Sequence, residues 1–127
     1  MIKVLLVEDN FSVRDTLKDF LEFFFDDLEI IQAKNGREGV DVVKNNKIDI
    51  LISDQKMPDM NGSKFISEVI DKLKSVQTVI YIYSGQLLEE LTVELKDYGE
   101  VHIIDKFTNP MFFKEIIEDY KNRSSNS

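Results

Sequence analysis

The chain has 127 residues, a length that fits one domain and leaves no room for a second domain with its own core. It has no cysteine and a single histidine, which excludes a disulfide framework, a thiolate nucleophile and a cysteine zinc site. Its formal net charge of −8 disfavours binding to nucleic acid or to anionic membranes, and its apolar runs are too short to span a membrane. We therefore expect a cytoplasmic protein with no direct contact to nucleic acid or membrane.

Short β-branched or apolar runs predict five strands, at residues 3–7, 29–33, 48–53, 78–83 and 101–104. Segments with helical spacing of apolar residues separate the strands and follow the last one. The apolar positions of the fourth predicted helix are Leu88, Leu91, Leu95 and Tyr98. Asn35-Gly36 and Asn109-Pro110 are typical of helix starts, whereas Gly39 weakens the second helix by about 1 kcal/mol relative to alanine.

Strands that alternate with helices predict an α/β fold, a three-layer sandwich around a parallel sheet. The central three strands are apolar throughout, which is typical of strands buried on both faces. In open parallel sheets, ligands bind beyond the carboxyl ends of the strands. The residues at those ends are therefore the candidates for a functional site.

Acidic and polar side chains follow four of the predicted strands. They are Glu8, Asp9, Asp54, Ser84 and Lys106. Three carboxylates that meet at one edge repel one another, by about 4 kcal/mol for a pair ~4 Å apart at an effective dielectric constant of ~20. A hard divalent cation removes that conflict, and ligands that are all oxygen favour Mg²⁺ or Mn²⁺ over zinc.

A metal beside a carboxylate, with a hydroxyl and an ammonium opposite, suits phosphoryl transfer, which needs an oxygen nucleophile and neutralised phosphoryl oxygens. In this interpretation Asp54 is the nucleophile. Glu8 and Asp9 hold the metal, directly or through water. Lys106 and the Ser84 hydroxyl contact the phosphoryl oxygens.

A set of short motifs surrounds these positions. The motifs are Glu8-Asp9 after the first strand, Asp54 followed by Met57-Pro58 and Gly62, Ser84-Gly85 after the fourth strand, and Lys106 after the fifth. With these motifs the chain resembles, over nearly its whole length, the receiver domains of bacterial two-component response regulators. Each motif alone is common, and it is their combination that is specific.

The resemblance implies a flavodoxin-like fold, in which five helices surround a five-stranded parallel sheet of order 2-1-3-4-5. Residues 1–121 would form the receiver domain, and the polar residues 122–127 predict a disordered tail. The resemblance further implies that Asp54 accepts a phosphoryl group from a sensor histidine kinase or a histidine phosphotransfer protein. Mg²⁺ would be bound by Glu8 or Asp9, by Asp54 and by the carbonyl oxygen of Lys56. Such a protein is no enzyme in the usual sense, because it catalyses only its own aspartyl phosphorylation and dephosphorylation.

The chain departs from the family at two positions near the fifth strand. Phe107 follows the lysine where the family usually has proline, and Ile103 stands where the family usually has a Tyr or Phe that swings inward on activation. A β-branched aliphatic side chain cannot make that ring flip. We therefore expect the switch at Ser84 and Ile103 to be altered, with the signal carried by loop 84–88 or by neighbours such as Tyr83.

Two other functions stay open at this stage. One is a phosphorylation-independent receiver that acts as a protein-interaction module, and the other is a haloacid-dehalogenase-like phosphatase. Those phosphatases resemble one another in having a second Asp two residues after the nucleophile, a role that Lys56 cannot take. In receivers, Lys56 and Gln86 occupy positions that tune the rates of phosphoryl gain and loss.

The fourth helix, fifth strand and fifth helix form a face that many receivers use to dimerise or to bind a target. Its charged residues include Lys96, Asp97, Asp105, Lys114 and Glu118. Because both signs are present, this face allows a homodimer held by salt-sensitive ion pairs.

Overall fold

The computed structural model describes residues 1–85, 95–96, 98–105 and 109–125. In chain order, these residues form β1 (Ile2–Val7), α1 (Phe11–Phe24), β2 (Leu28–Ala33), α2 (Gly36–Asn45), β3 (Ile50–Asp54), α3 (Gly62–Ser75), β4 (Val79–Ser84), β5 (Val101–Asp105) and α4 (Met111–Ser125). Helix α4 corresponds to the fifth helix predicted from the sequence. The fourth predicted helix falls mainly on residues outside the described ranges, among them Leu88 and Leu91.

The strands form one parallel sheet in the order β2-β1-β3-β4-β5, which confirms the predicted architecture. Because every strand runs in the same direction, the carboxyl ends of all the strands meet at one edge of the sheet. In the register of this edge, Asp54 of β3 lies opposite Tyr83 of β4, and Ser84 of β4 lies opposite Asp105 of β5.

Two hydrophobic cores cover the two faces of the sheet. Helices α2 and α3 pack on one face and form the α2–α3 core, which contains Leu5 and Leu51 of the strands and the fully buried Phe65 of α3. Helices α1 and α4 cover the other face and form the α1–α4 core, which contains Val4 and Leu6. Successive side chains of a strand point to opposite faces, so a strand between two cores is apolar at every position.

Asparagine side chains begin two of the helices as the sequence predicts. The side-chain oxygen of Asn35 accepts a hydrogen bond from the backbone N–H of Glu38 at 2.8 Å. The side-chain oxygen of Asn109 accepts one from the N–H of Met111 at 2.9 Å. Each bond satisfies a backbone donor that has no partner within its helix.

The C-terminal helix extends further than the sequence indicates. Helix α4 ends at Ser125, so residues 122–125, predicted as part of a disordered tail, are helical. Ion pairs tie this end of the chain to the sheet: the Arg123 guanidinium lies 2.6 Å from a Glu100 carboxylate oxygen, and Lys121 Nζ lies 2.7 Å from an Asp27 oxygen. These contacts join residues far apart in sequence and are not visible in local composition.

Among the helices of the described residues, none has the length and apolar character needed to cross a membrane.

Candidate functional site

Three carboxylates meet at the carboxyl edge of the sheet. Glu8 and Asp9 directly follow β1, and Asp54 is the last residue of β3. One carboxylate oxygen from each lies within 4.8 Å of the other two. Glu8 and Asp54 are each only 2% exposed, whereas Asp9 faces solvent. The convergence expected from strand order is therefore present in the structure.

The donor set of this acid cluster fits a hard cation. All three groups offer oxygen, the ligand atom that Mg²⁺, Mn²⁺ and Ca²⁺ prefer. Two of the carboxylates are buried, where like charges repel more strongly than in water because the surroundings screen less. A divalent cation between Glu8, Asp9 and Asp54 relieves that repulsion, so the cluster is able to bind a metal ion.

A cavity of about 560 Å³ lies over the acid cluster. Its walls are formed by Glu8, Asp9, Asn10, Val13, Asp54, Lys56, Met57 and Pro58. One side of the cavity is thus acidic and the other is formed by the loop after β3. The cavity has room for a hydrated cation together with a small anionic group.

The loop after β3 holds Asp54 in place. The backbone N–H of Lys56 donates to Asp54 Oδ1 at 3.3 Å, while the Lys56 side chain is exposed. The Gln55 side chain binds Ser63 twice, because its Oε1 accepts from the Ser63 N–H at 2.8 Å and its Nε2 donates to the Ser63 hydroxyl at 3.1 Å. Gln55 is not identifiable as a site residue from the sequence alone, since a glutamine in a loop carries no local signal.

Gly62 allows the chain to return close to Asp54. Its N–H donates to the carbonyl oxygen of Gln55 at 2.8 Å. A Cβ atom on Gly62 would lie only 2.4 Å from the carbonyl oxygen of Asp54. A residue with a side chain therefore does not fit here without a shift of the backbone that carries Asp54.

The Tyr83 hydroxyl contacts the acid cluster from β4. It donates a hydrogen bond to Glu8 Oε2 at 2.8 Å, and the Tyr83 side chain is 5% exposed. Burial, followed by the charge of Glu8, raises the pKa of Tyr83 above its usual value, so the hydroxyl keeps its proton and acts as a donor. The sequence predicts Tyr83 as an alternative carrier of the switch signal and does not indicate this contact with Glu8. The contact joins residues 75 positions apart, which no local pattern indicates.

The two predicted switch residues lie on the same face of the sheet. Ser84 is buried at the end of β4, two residues after Ile82 and therefore on its side of the strand. Ile103 lies opposite Ile82 on β5, is partly buried, and packs against the α2–α3 core. Their coupling to phosphorylation stays a prediction.

Three further positions of the sequence analysis, Lys106, Phe107 and Gln86, lie outside the described residues. The predicted contact of Lys106 with phosphoryl oxygens and the predicted rate-tuning role of Gln86 therefore stay predictions.

Comparisons with known proteins agree with this geometry. The response regulator receiver domain family matches residues 4–118. A chemotaxis protein CheY homolog of Campylobacter jejuni strain 81-176 is 30% identical over 120 residues, which cover 93% of this chain and 91% of that protein. The crystallised chemotaxis protein CheY4 of Vibrio cholerae has a TM-score of 0.81 at 28% identity, and the match covers 94% of this chain and 98% of that one.

Several relatives are longer proteins. A protein-glutamate methylesterase/protein-glutamine glutaminase of Methanosarcina mazei is 31% identical over 106 residues, 84% of this chain. The chain spans 29%, 32% and 48% of the length of this and two other curated relatives. The shared part is thus one domain of those proteins. Because the family match covers most of the sequence and the sheet order and acid cluster agree with it, the chain belongs to the response regulator receiver domain family of two-component signalling.

Proposed function

We propose that this receiver domain is a phosphorylation switch in which Asp54 accepts a phosphoryl group in a Mg²⁺-dependent reaction. The observation that carries the proposal is the position of Asp54, which is 2% exposed and forms an acid cluster with Glu8 and Asp9 beneath an open cavity. The donor would be a phosphohistidine of a sensor histidine kinase or of a histidine phosphotransfer protein. The phosphorylated domain would then change its affinity for a partner.

Each residue of the site has a part in this reaction. An oxygen of the Asp54 carboxylate attacks the phosphorus, the bond from phosphorus to the donor nitrogen breaks, and an acyl phosphate forms on Asp54. The Lys56 N–H holds Asp54 Oδ1, which limits the rotation of the carboxylate before the attack. Glu8, Asp9, Asp54 and the Lys56 carbonyl would hold Mg²⁺, which when bound neutralises charge on the phosphoryl oxygens.

Ser84 and Lys106 complete the proposed site from the other strands. The Ser84 hydroxyl lies at the carboxyl edge at the end of β4, where it would donate to a phosphoryl oxygen. Lys106 would supply a positive charge to the same group. Lys56 and Gln86 would set how long the acyl phosphate survives, as the resemblance to receivers implies for these two positions.

A mass measurement after treatment with a small phosphodonor tests the proposal. Wild-type protein incubated with acetyl phosphate and Mg²⁺ is expected to gain the mass of one phosphoryl group, and Asp54→Ala is expected to gain none. Asp71→Ala is the matched control, since Asp71 is an exposed acid near the end of α3. A wild-type protein that binds Mg²⁺ but gains no mass would support the phosphorylation-independent receiver instead.

Homodimerisation through the fourth predicted helix, β5 and α4 is a further part of the proposal. Asp105 and Glu118 are exposed on these elements. The Lys114 ammonium lies 4.9 Å from the centre of the Phe24 ring of α1, so this cation is directed toward α1. Sedimentation of the protein with and without phosphodonor, at low and high salt, measures whether a dimer forms.

A further inference from the structure

The Tyr83–Glu8 contact joins the end of β4 to the acid cluster across the intervening strand β3. Tyr83 lies opposite Asp54 in the β3–β4 register, and its hydroxyl donates to Glu8 Oε2 at 2.8 Å. Tyr83 and Glu8 are 5% and 2% exposed, so little solvent reaches the bond. A hydrogen bond to a carboxylate is stronger than one between neutral groups, and a partner for Glu8 at this depth fixes its orientation.

The ring of Tyr83 is packed less completely than its burial suggests. It contacts the ring of Phe113 edge to face, with centroids 6.2 Å apart. It also lines a cavity of about 430 Å³ between α1 and α4, whose other walls include Leu17 and Phe20. Since packing leaves space beside the ring, the bond to Glu8 contributes to holding the ring where it is.

We infer that Tyr83 is a positioning residue of the cation site, whose hydroxyl holds the Glu8 carboxylate in the orientation that binds the metal ion. The hydroxyl directs its hydrogen to Oε2 and thereby orients the remaining lone pairs of the carboxylate. Its positive end also offsets part of the repulsion that Glu8 experiences from Asp9 and Asp54. The inference rests on the proposed function only in its choice of Mg²⁺ as the ion.

Residues that orient metal ligands typically change metal affinity about 10- to 100-fold when they are removed. We therefore expect Tyr83→Phe, which keeps the ring and removes the hydroxyl, to weaken Mg²⁺ binding about 10-fold or more. Tyr81→Phe is the matched control. Tyr81 lies on the same face of β4, is also buried, and stacks on His102 away from the acid cluster.

The experiment is a calorimetric titration of MgCl₂ into the metal-free full chain, for wild type, Tyr83→Phe and Tyr81→Phe. The expected result is a higher Kd for Tyr83→Phe and an unchanged Kd for Tyr81→Phe. The melting temperatures of all three proteins are measured in EDTA. A lower melting temperature with an unchanged Kd would show a structural role only and would overturn the inference. A wild-type protein that takes up no Mg²⁺ would overturn it as well.

A double-mutant cycle shows whether Tyr83 acts through Glu8. In a Glu8→Gln background, Tyr83→Phe is expected to change the Kd much less than in the wild type, because the orientation of that carboxylate no longer matters. An equal effect in both backgrounds would contradict the inference. Phosphorylation is measured separately, so a protein in which Tyr83→Phe weakens Mg²⁺ binding but acetyl phosphate adds no mass would refute the proposed function alone.

A spectroscopic readout keeps the inference testable if Tyr83→Phe does not fold. The chain has four tyrosines and no tryptophan, so its tyrosines dominate the near-ultraviolet absorbance. Binding of Mg²⁺ beside Glu8 is expected to perturb the tyrosine spectrum of the wild type and of Tyr81→Phe to the same extent. A spectrum that does not change while calorimetry shows Mg²⁺ binding would overturn the inference.

Discussion

Gly62 is the position where a single added carbon should disturb the candidate site most directly. It is the first residue of α3, and a Cβ there would lie 2.4 Å from the Asp54 carbonyl oxygen, 3.0 Å from Ile82 Cδ1 and 3.1 Å from Ser53 Oγ. Ordinary contacts begin at 3.4 Å, so the nearest one is about 1 Å too short. The atom in the way belongs to the backbone of β3 and cannot rotate aside.

We predict that Gly62→Ala lowers the free energy of unfolding by about 1 to 2 kcal/mol. Overpacking costs about 1–3 kcal/mol, and alanine returns less than ~1 kcal/mol of helix propensity at the first position of a helix. The start of α3 cannot shift freely, because the Gly62 N–H donates to the Gln55 carbonyl oxygen. Because Asp54 would be displaced, the acid cluster that it forms with Glu8 and Asp9 should also bind Mg²⁺ more weakly in Gly62→Ala than in the wild type.

Gly36→Ala is the matched control for this prediction. A Cβ on Gly36 would also meet an atom at 2.4 Å, but that atom is Cγ of Met60, a flexible and partly buried side chain. Met60 can adopt another rotamer at small cost. We therefore expect Gly36→Ala to lower the free energy of unfolding by less than Gly62→Ala does, because the atom in the way belongs to a side chain and not to the backbone.

Urea unfolding followed by circular dichroism measures both variants. With an m-value of about 2 kcal/mol per molar urea, the midpoint of Gly62→Ala should fall by roughly 0.5–1 M. The reasoning is refuted if Gly62→Ala unfolds at the wild-type midpoint, or if Gly36→Ala loses as much stability as Gly62→Ala. The first result would mean that the backbone near Asp54 shifts at little cost, and the second that the Met60 side chain does not move aside at small cost.

Two further predictions concern the pH dependence of stability near the start of α2 and the packing of the α2–α3 core. Asp59 accepts hydrogen bonds from the Gly36 and Arg37 N–H groups at 3.2 and 3.0 Å. Burial acts to raise the pKa of Asp59, but these backbone donors hold that pKa below its usual 3.8. The stability that Asp59 contributes is therefore complete above pH 3.8 and is lost as the pH falls through the lower pKa of the folded state. When urea unfolding is measured at a series of acidic pH values, the midpoint of Asp59→Asn should therefore fall less than that of the wild type. Phe65→Ala should cost about 3–5 kcal/mol in urea unfolding. A Cβ on Gly39 would lie 2.8 Å from Phe65 Cε1. Gly39→Ala should therefore lower the free energy of unfolding of the wild type but change it little in the Phe65→Ala background. If the losses of the two substitutions add in the double variant, the reasoning is contradicted.

The strands and the acidic edge of the sheet could be predicted because their signals are local. A run such as Ile50–Ser53 is apolar or small throughout, and burial on both faces requires that composition. Glu8, Asp9 and Asp54 are adjacent in space because parallel strands end at one edge, a consequence of topology that holds for any side chains there. The order of the strands came from the family resemblance, since hydrophobic periodicity does not decide which strands are neighbours.

The weak point predicted at Gly39 has a tertiary explanation. Judged by helix propensity alone, this glycine destabilises α2, and the helix forms over Gly36–Asn45 all the same. The ring of Phe65 occupies the space where a Cβ would be. Packing between α2 and α3 therefore determines the residue at position 39, and helix propensity does not.

By itself the amino-acid sequence determined the fold class, the family and which carboxylates gather at the carboxyl edge. Only the tertiary structure decided how those carboxylates are held. The Tyr83 hydroxyl on Glu8 and the close approach of Gly62 to Asp54 depend on distances of a few ångströms between separate elements. Periodicity and short motifs report what each segment buries, and they carry no information about atoms that meet only after the sheet has assembled.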